Sequence, residues 1–286
     1  MMNRNEHKPY SIMFQFIAGL VIIFVLYWGV SQIWPIVGID WKETYYPAIQ
    51  AALHGNSPYT VPTFRNPPWT LILLLPFGLF SETTGGILFF IATLGVYAWA
   101  AHRLKASRIV LIMFLLSPPV IYGMRMLNVD ILILLGFSLP ASVGLFFVLI
   151  KPQMGMAIAF FWLVEAWRVG GLKKTIQTFA PVTMAVIISF ILFGNWQAGR
   201  QVDLLDSFWN ASLWPWALPI GVVLVALSLR DRQAHPAMAA SPFLSPYLAY
   251  HSWASVLAGL MQYDFQFVIT VLAMWLVAVI RALGLG

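Results

Sequence analysis

The feature that most constrains this chain is a long apolar stretch close to its first residue. Residues 10–39 contain no Asp, Glu, Lys or Arg. A helix that crosses a bilayer needs about 20 apolar residues, whereas a signal-peptide core has roughly 7–15. No small-x-small cleavage site follows, so an uncleaved first span is predicted. Arg4 and Lys8 precede it and predict a cytoplasmic amino terminus.

The composition extends this prediction to the whole chain. Hydrophobic residues make up 60% of the 286 residues and charged residues only 9%, whereas a soluble domain has about 25% charged residues. So few charges cannot cover a water-soluble surface, and no stretch is long enough for a separate soluble core. We therefore predict one polytopic domain over residues 1–286, located in the cell membrane.

The charges and the cysteine count exclude several functions. The net charge is +6, but the basic residues stand at segment ends and form no run typical of nucleic-acid binding. The absence of cysteine excludes disulfides, zinc–thiolate sites, iron–sulfur clusters and a cysteine nucleophile. No Walker, dinucleotide or serine-nucleophile motif is present, so a nucleotide-driven mechanism has no support.

The apolar segments predict an all-α integral membrane bundle of about 8–10 spanning or half-membrane helices. Extracytoplasmic loops are expected at 40–66 and 194–212. Beyond the first span, the predicted helical segments are 47–54, 67–80, 85–101, 109–123 with a break at the Ser117-Pro118-Pro119 sequence, 129–139, 141–150, 152–167, 175–193, 213–229, 237–261 with a break near Pro246, and 265–280. Trp41 and Trp69 flank the first loop and are expected at the membrane interface, or stacked on a ligand ring.

Two neighbouring segments predict a re-entrant hairpin. Residues 129–139 and 141–150 are separated by Pro140. Each is about 16 Å long as a helix, half of a hydrocarbon core about 30 Å thick. A hairpin that enters and leaves on one side fits these lengths better than two spans. Irregular backbone at that depth requires protein or water around it, which indicates a cavity.

Asp40 directly follows the first span and is the candidate general base. At the rim of a cavity its carboxylate can take a proton from an incoming hydroxyl. The alternatives are a solvated loop residue or an ionic partner for Lys42. Glu43 competes for the same role, and a divalent cation held by Asp40 and Glu43 remains open. No two histidines stand at metal-ligand spacing.

The ends of the hairpin carry a second group of polar residues. Arg125, Asn128 and Asp130 precede it, and Lys151 and Gln153 follow it. If both ends meet, the two cations suit a phosphate group. The alternative is an internal ion pair of Asp130 with Arg125 or Lys151.

The order of several short motifs resembles a known family. The motifs are Asp40, Tyr45-Tyr46-Pro47-Ala48, Gly55-Asn56-Ser57-Pro58-Tyr59, Asn66-Pro67-Pro68, Leu75-Pro76, Asn128 with Lys151-Pro152-Gln153, and the Ser-Pro pairs at 241–242 and 245–246. This series resembles the polytopic GT-C glycosyltransferases, particularly family 87, the polyprenyl-phosphate-dependent mannosyl- and arabinofuranosyltransferases. The resemblance covers most of the chain in order.

The resemblance implies a function and a set of site residues. It implies Asp40 as catalytic base, a polyprenyl-phosphate sugar donor, a glycan or glycolipid acceptor, and contact with membrane lipid. Apart from the divalent cation left open above, no cofactor is predicted, and partners among membrane proteins stay open. The donor phosphate would be bound by Arg65, Arg125 and Lys151. Substrate contacts would come from Glu43, Tyr45, Asn128, Asp130, Gln153 and His251.

Two departures from the family pattern keep alternatives open. Asn66 stands where an aromatic residue usually precedes the two prolines, and the chain is short, without the cytoplasmic loop of the hairpin. The alternatives are a non-catalytic membrane subunit and a transporter of a lipid-linked sugar.

Overall fold

The computed structural model describes residues 8–196 and 207–283, with side chains from residue 17 onward except at residue 281. The regular structure of these two ranges is helical throughout, without a strand. The middle of the predicted second loop, 197–206, lies outside the described residues. The all-helical part of the predicted fold class is therefore confirmed.

Thirteen α-helices are present in the described ranges. They are α1 (Lys8–Ile33), α2 (Tyr46–Leu53), α3 (Trp69–Gly78), α4 (Glu82–Arg103), α5 (Arg108–Leu115), α6 (Pro118–Met126), α7 (Asp130–Phe137), α8 (Ala141–Val148), α9 (Pro152–Phe193), α10 (Leu218–Asp231), α11 (Ala234–Leu244), α12 (Ala254–Leu260) and α13 (Asp264–Ala282). Short 3-10 helices occupy Trp34–Ile36, Pro58–Thr60 and Tyr250–Trp253, and a π-helix occupies Trp41–Tyr45.

The helices follow the predicted segments closely, and the breaks have local causes. Within α9 the backbone leaves the helical region at Gly170 and Gly171, so two helices meet there, as expected from the segments 152–167 and 175–193. Helices α5 and α6 are bent by 51° where prolines 118 and 119 begin α6. Gly55, with φ +77, follows the end of α2 as a left-handed stop.

Three helices are long and apolar enough to cross a membrane. They are Ile17–Ile36, Glu82–Arg103 and Pro152–Phe193, and the bent pair α5–α6 makes a fourth if it counts as one broken span. Consecutive side chains of α1 from Leu20 to Val25 are exposed, Phe24 to 70%. These helices are compatible with insertion into a lipid bilayer.

The predicted hairpin is formed by α7 and α8, which pack tightly because small residues face each other. A Cβ atom on Gly144 would lie 2.6 Å from the carbonyl oxygen of Gly136, and one on Gly136 would lie 2.6 Å from Phe147 Cβ. Helix α8 then packs on the start of α9, where a Cβ on Gly155 would lie 2.1 Å from the carbonyl oxygen of Val148. This close approach places both ends of the hairpin together.

The two tryptophans that flank the first loop are buried within the protein. Trp41 is fully buried and donates its Nε1–H to the carbonyl of Glu82 (2.9 Å), and Trp69 is 8% exposed and donates to the carbonyl of Phe146 (2.8 Å). Gly86 makes room for Trp41, because a Cβ there would lie 2.7 Å from Trp41 Cδ1. Each indole N–H is therefore satisfied inside the protein, and the ring of Trp41 is not available to stack on a ligand.

The tight contact between α8 and α9 predicts a large difference between two glycine substitutions. Gly155→Ala should lower the free energy of unfolding by about 1–3 kcal/mol, because the added methyl group meets backbone that cannot move aside. Gly95→Ala in α4 is the control, with nothing within 4 Å of the added Cβ. It should be neutral or stabilising by about 0.5–1 kcal/mol. Thermal unfolding in detergent followed by circular dichroism measures both, and equal effects would contradict the packing.

Candidate functional site

Asp40 is positioned by a turn that ties the end of the first helical segment to the end of α6. Gly38 has φ +75 and donates its N–H to the carbonyl of Arg125 (2.8 Å). The carbonyl of Gly38 accepts from the N–H of Lys42 (2.9 Å), which begins the π-helix. This turn brings the half-buried Asp40 against Asn128, whose Nδ2 donates to Asp40 Oδ2.

Lys42 is not the ionic partner of Asp40, so that alternative is wrong. Its Nζ donates to the carbonyls of Trp34 and Val37, both at 2.7 Å. The ammonium group thus satisfies carbonyl groups at the end of the first helical segment, where the helix leaves them without partners. It also lies 4.6 Å from the ring centroid of Trp34.

Asp130 forms a buried polar network at the first turn of α7. Its side chain is inaccessible to solvent and forms an ion pair with Lys151. The other carboxylate oxygen lies 2.5 Å from His251 Nδ1 and accepts from Ser252 Oγ (3.1 Å). Because a carboxylate only accepts, this contact places a proton on Nδ1 of His251.

The network bears on the two interpretations of the polar residues at the hairpin ends, a phosphate site or an internal ion pair. The two ends of the hairpin do meet, since Asp130 and Lys151 are in contact. Of the two internal ion pairs considered, the one with Lys151 is formed, while the side chain of Arg125 is exposed at the surface. Lys151 therefore already has an anionic partner.

Asp40 lies within the electric field of this network. Burial raises the pKa of Asp40 from its ordinary value, and the negative charge of Asp130 adds to this effect. The hydrogen bond from Asn128 and the charges of His251 and Lys151 act in the opposite direction without reversing it. A carboxylate of raised pKa with part of its surface open is suited to accept a proton.

Tyr45 is buried close to both carboxylates. Its side chain is 3% exposed. Burial and the charges of Asp40 and Asp130 raise the pKa of Tyr45 well above its ordinary value. The phenol therefore remains neutral, and its position below the surface leaves little area for the substrate contact that the family resemblance implies.

Two tyrosines are each acted on by the charge of Asp40 and by that of an arginine. Arg65 and Arg125 are exposed. The charges of Asp40 and Arg125 act on Tyr122, and those of Arg65 and Asp40 act on Tyr247. Each arginine thus shares one tyrosine neighbour with Asp40, while the charges that act on Asp40 itself are those of His251, Lys151 and Asp130.

Sequence reasoning missed Ser252 and Tyr122. Ser252 follows the predicted His251 directly and shares its acceptor. Tyr122 stacks on the ring of His251, with centroids 6.1 Å apart and planes 20° apart. Tyr122 lies three residues before Arg125 in α6, so helical spacing on the face of Arg125 was a usable signal.

Two predicted residues have no described contact with the network. Glu43 is exposed, and its backbone carbonyl accepts from Thr63 Oγ1 (2.9 Å). Gln153 is half-buried in the first turn of α9. Across 8–196 and 207–283, no group of three or more His, Asp or Glu side chains is arranged to hold a metal ion.

Two grooves are found away from Asp40. An apolar groove of about 530 Å³ lies between α2, α3 and the second half of α9. Its lining includes Ile49, Trp69, Ile72 and Ile188. A polar groove of about 560 Å³ lies where α11 and α13 begin. Neither groove is lined by Asp40, where the sequence predicted a cavity.

Comparisons with known proteins add no assignment. No family model matches the chain, no curated protein matches it, and no solved structure matches it. The chemistry of the site therefore depends on the geometry around Asp40 and Asp130.

The buried ion pair predicts strong coupling between Asp130 and Lys151. Asp130→Asn should lower the free energy of unfolding by about 3–5 kcal/mol, because it leaves the ammonium group of Lys151 buried without a counter-charge. Adding Lys151→Met should recover most of that loss. Unfolding in mixed detergent micelles measures both variants.

The exposed pair Arg230–Asp231 provides the control for this experiment, and Asp231→Asn should change stability little because water screens that pair. Additive losses in the Asp130–Lys151 double variant would contradict the coupling.

The raised pKa of Asp40 predicts a pH-dependent gain from its neutral replacement. A carboxyl whose folded-state pKa is raised stabilises the fold below its ordinary value of 3.8 and loses that contribution as the pH rises through the raised value. Asp40→Asn should therefore raise the melting temperature at pH 7, and the gain should vanish at pH values below 3.8. Thermal unfolding across pH measures this, with the exposed Glu43→Gln as control. A less stable Asp40→Asn protein at pH 7 would contradict it.

Proposed function

We propose that this chain is a multi-pass protein of the cell membrane with its amino terminus in the cytoplasm. The exposed apolar side chains on all sides of α1 support insertion into lipid, since water would disfavour such a surface. Helix α1 packs against α4, and Tyr27 lies 3.4 Å from Thr84 near the end of one helix and the start of the other. The two helices therefore run in opposite directions.

The distribution of charge supports this orientation. The carboxyl end of α4 lies with the break in α9 and the end of α10, where Arg168 Nη1 donates to the carbonyl of Leu229 (2.6 Å). The basic residues at this end are Arg103, Lys105, Arg108, Arg168, Lys173, Lys174, Arg230 and Arg232, and the acidic ones are Glu165, Asp231 and Asp264. The excess of Lys and Arg is typical of a cytoplasmic face.

We propose further that the chain is a membrane glycosyltransferase with Asp40 as general base. The observation that carries this proposal is the half-buried Asp40, held by Asn128 beside the Asp130–Lys151–His251 network. A base of this kind needs access to the acceptor, a raised pKa and a fixed orientation, and Asp40 combines the three. The order of motifs resembling family 87 supports a polyprenyl-phosphate sugar as donor.

The chemical step uses the two charge types near Asp40. Asp40 takes the proton of the acceptor hydroxyl, and the oxygen of that hydroxyl attacks the anomeric carbon of the donor sugar. The bond from that carbon to the phosphate oxygen breaks, and polyprenyl phosphate leaves with the bonding electrons. Arg65 and Arg125 are exposed cations that each share a tyrosine neighbour with Asp40, and they would stabilise the departing phosphate. The ion pair with Asp130 gives Lys151 a structural part in place of direct phosphate binding.

The apolar groove supports a lipid-borne donor. Its lining includes Ile49 in α2, the helix that follows the π-helix Trp41–Tyr45 directly after Asp40. Its lining is apolar apart from Ser189, whose hydroxyl donates to the carbonyl of Ala185 (2.7 Å) within α9. A prenyl chain, which makes no hydrogen bonds, matches such a lining.

A second candidate is a non-catalytic membrane subunit. The neutralised Lys151 favours it, because a buried cation paired with Asp130 serves the fold without any substrate. The transfer assay below separates the two candidates.

The proposed function predicts that transfer depends on Asp40. Asp40→Asn should reduce transfer from a radiolabelled polyprenyl-phosphate sugar by about 10²–10⁴-fold, the usual contribution of a general base. Glu43→Gln, an exposed carboxylate three residues away, should leave transfer nearly unchanged. Equal transfer by wild type and Asp40→Asn would remove Asp40 as the base. No transfer by wild type over a panel of donors would favour the subunit.

A further inference from the structure

The polar groove lies at the opposite end of the molecule from Asp40. Helix α4 begins beside Trp41, whose Nε1–H donates to the carbonyl of Glu82. Its 22 residues rise about 33 Å to Arg103. Lys105, two residues beyond α4, lines the groove. The groove is therefore a separate place in the fold.

Three connections between helices meet at this groove. The loop between α4 and α5 contributes Lys105, the α10–α11 junction contributes Gln233, Ala234 and His235, and the α12–α13 junction contributes Gln262 and Tyr263. The groove has a volume of about 560 Å³. This volume accommodates a polar headgroup.

The lining residues provide hydrogen-bond donors and a positive charge, with no carboxylate among them. Lys105 supplies an ammonium group and Gln233 an amide. Gln262 Nε2 donates to Tyr263 Oη (3.1 Å), which leaves the phenol hydrogen free to donate outward. The nearest carboxylate along the chain is the exposed Asp264, outside the lining.

His235 has a buried ring atom that the protein leaves without a partner. Nδ1 of His235 has no hydrogen-bond partner among the described residues. No hydrogen bond at Nδ1 therefore fixes the tautomer of His235, so the proton of the neutral imidazole can lie on either ring nitrogen. A buried polar atom without a partner costs free energy, and a bound ligand that permits the ring to reorient would relieve that cost.

The groove has basic residues on one side and exposed apolar residues on another. Arg103 and Arg108 lie at this end and raise the local positive potential, whereas Arg230 and Arg232 are paired with Asp231 and Glu165. On the side of α5 and α13, which pack together, Ile109 and Phe265 are 63% and 73% exposed. The groove thus stands at a boundary between a basic surface and an apolar one.

We propose that this groove binds a phosphate group, carried either by an anionic phospholipid or by a small phosphate in solution. A cation with several neutral donors and no acidic lining residue is the set that a phosphate requires. Basic pockets between helices at a cytoplasmic membrane face bind phospholipid headgroups. With the headgroup in the groove, the acyl chains would lie along the exposed apolar side chains of α5 and α13.

The test measures binding of soluble probes to the full chain in dodecylmaltoside. The probes are dihexanoyl-phosphatidylglycerol, dihexanoyl-phosphatidylcholine and glycerol 3-phosphate, and the readout is the Kd from isothermal titration calorimetry. Phosphatidylglycerol should bind at least about fivefold more tightly than phosphatidylcholine. Lys105→Gln should weaken binding of phosphatidylglycerol about fivefold, the effect of one Lys near a phosphate.

Matched variants keep the outcome interpretable. Arg103→Gln removes a cation that lies over Trp99 (5.9 Å to the ring centroid) and outside the groove lining, so it should change the Kd less than Lys105→Gln. Lys105→Arg should retain binding, and it replaces Lys105→Gln as the informative variant if the latter fails to fold. Loss of affinity in Lys105→Arg would contradict a role for the positive charge at this position.

Each result decides the proposal or the source of the phosphate. If phosphatidylglycerol binds tightly and glycerol 3-phosphate does not bind, the ligand of the groove is a phospholipid. If glycerol 3-phosphate binds tightly, the ligand is a small phosphate. Equal Kd values for the two phospholipids with no binding of glycerol 3-phosphate would overturn the proposal. So would a Kd for the tightest-binding phosphate probe that is unaffected by Lys105→Gln. The result is independent of Asp40, so failure of sugar transfer leaves it untouched.

Discussion

The buried carboxylate of Asp130 joins three parts of the chain that are far apart in sequence. It accepts from Lys151 at the start of α9 and from His251 and Ser252 in the 3-10 helix Tyr250–Trp253. A charge in this position is tolerable only with a counter-charge and several hydrogen bonds. Removing one of these partners would leave another polar group buried without its partner, which costs free energy. The junction of α7, the start of α9 and the 3-10 helix Tyr250–Trp253 therefore depends on the network.

Asp40 gains its chemical character from that network. Alone after the first helical segment it would be a solvated loop carboxylate. Asn128 holds it in one orientation, while burial and the neighbouring charge of Asp130 raise its pKa. The position of Asn128 is itself set by the left-handed Leu127 (φ +56), which caps the end of α6 three residues before Asp130. The structural network and the candidate base are therefore parts of one unit.

The two ends of the molecule differ in chemistry. The Asp40 end combines carboxylates with nearby arginines, as group transfer requires. The opposite end is rich in Lys and Arg and contains the groove of Lys105 and His235. Helix α4 connects them over its full length, with Trp41 packed at its start. One bundle thus presents two polar surfaces separated by an apolar middle.

The sequence by itself determined the helices, because apolar runs, prolines and glycines act over a few residues. The segments 109–123 and 237–261 break where their prolines predicted, and Gly55 follows the end of α2. It also named Asp40, Asn128, Asp130, Lys151 and His251 among its ten candidate site residues. Only the tertiary structure decided which of them pair. The sequence left Lys42 and Arg125 open as ionic partners, but Lys42 binds backbone carbonyls and Arg125 points to the surface. Such choices depend on distances between remote segments, which local patterns do not contain.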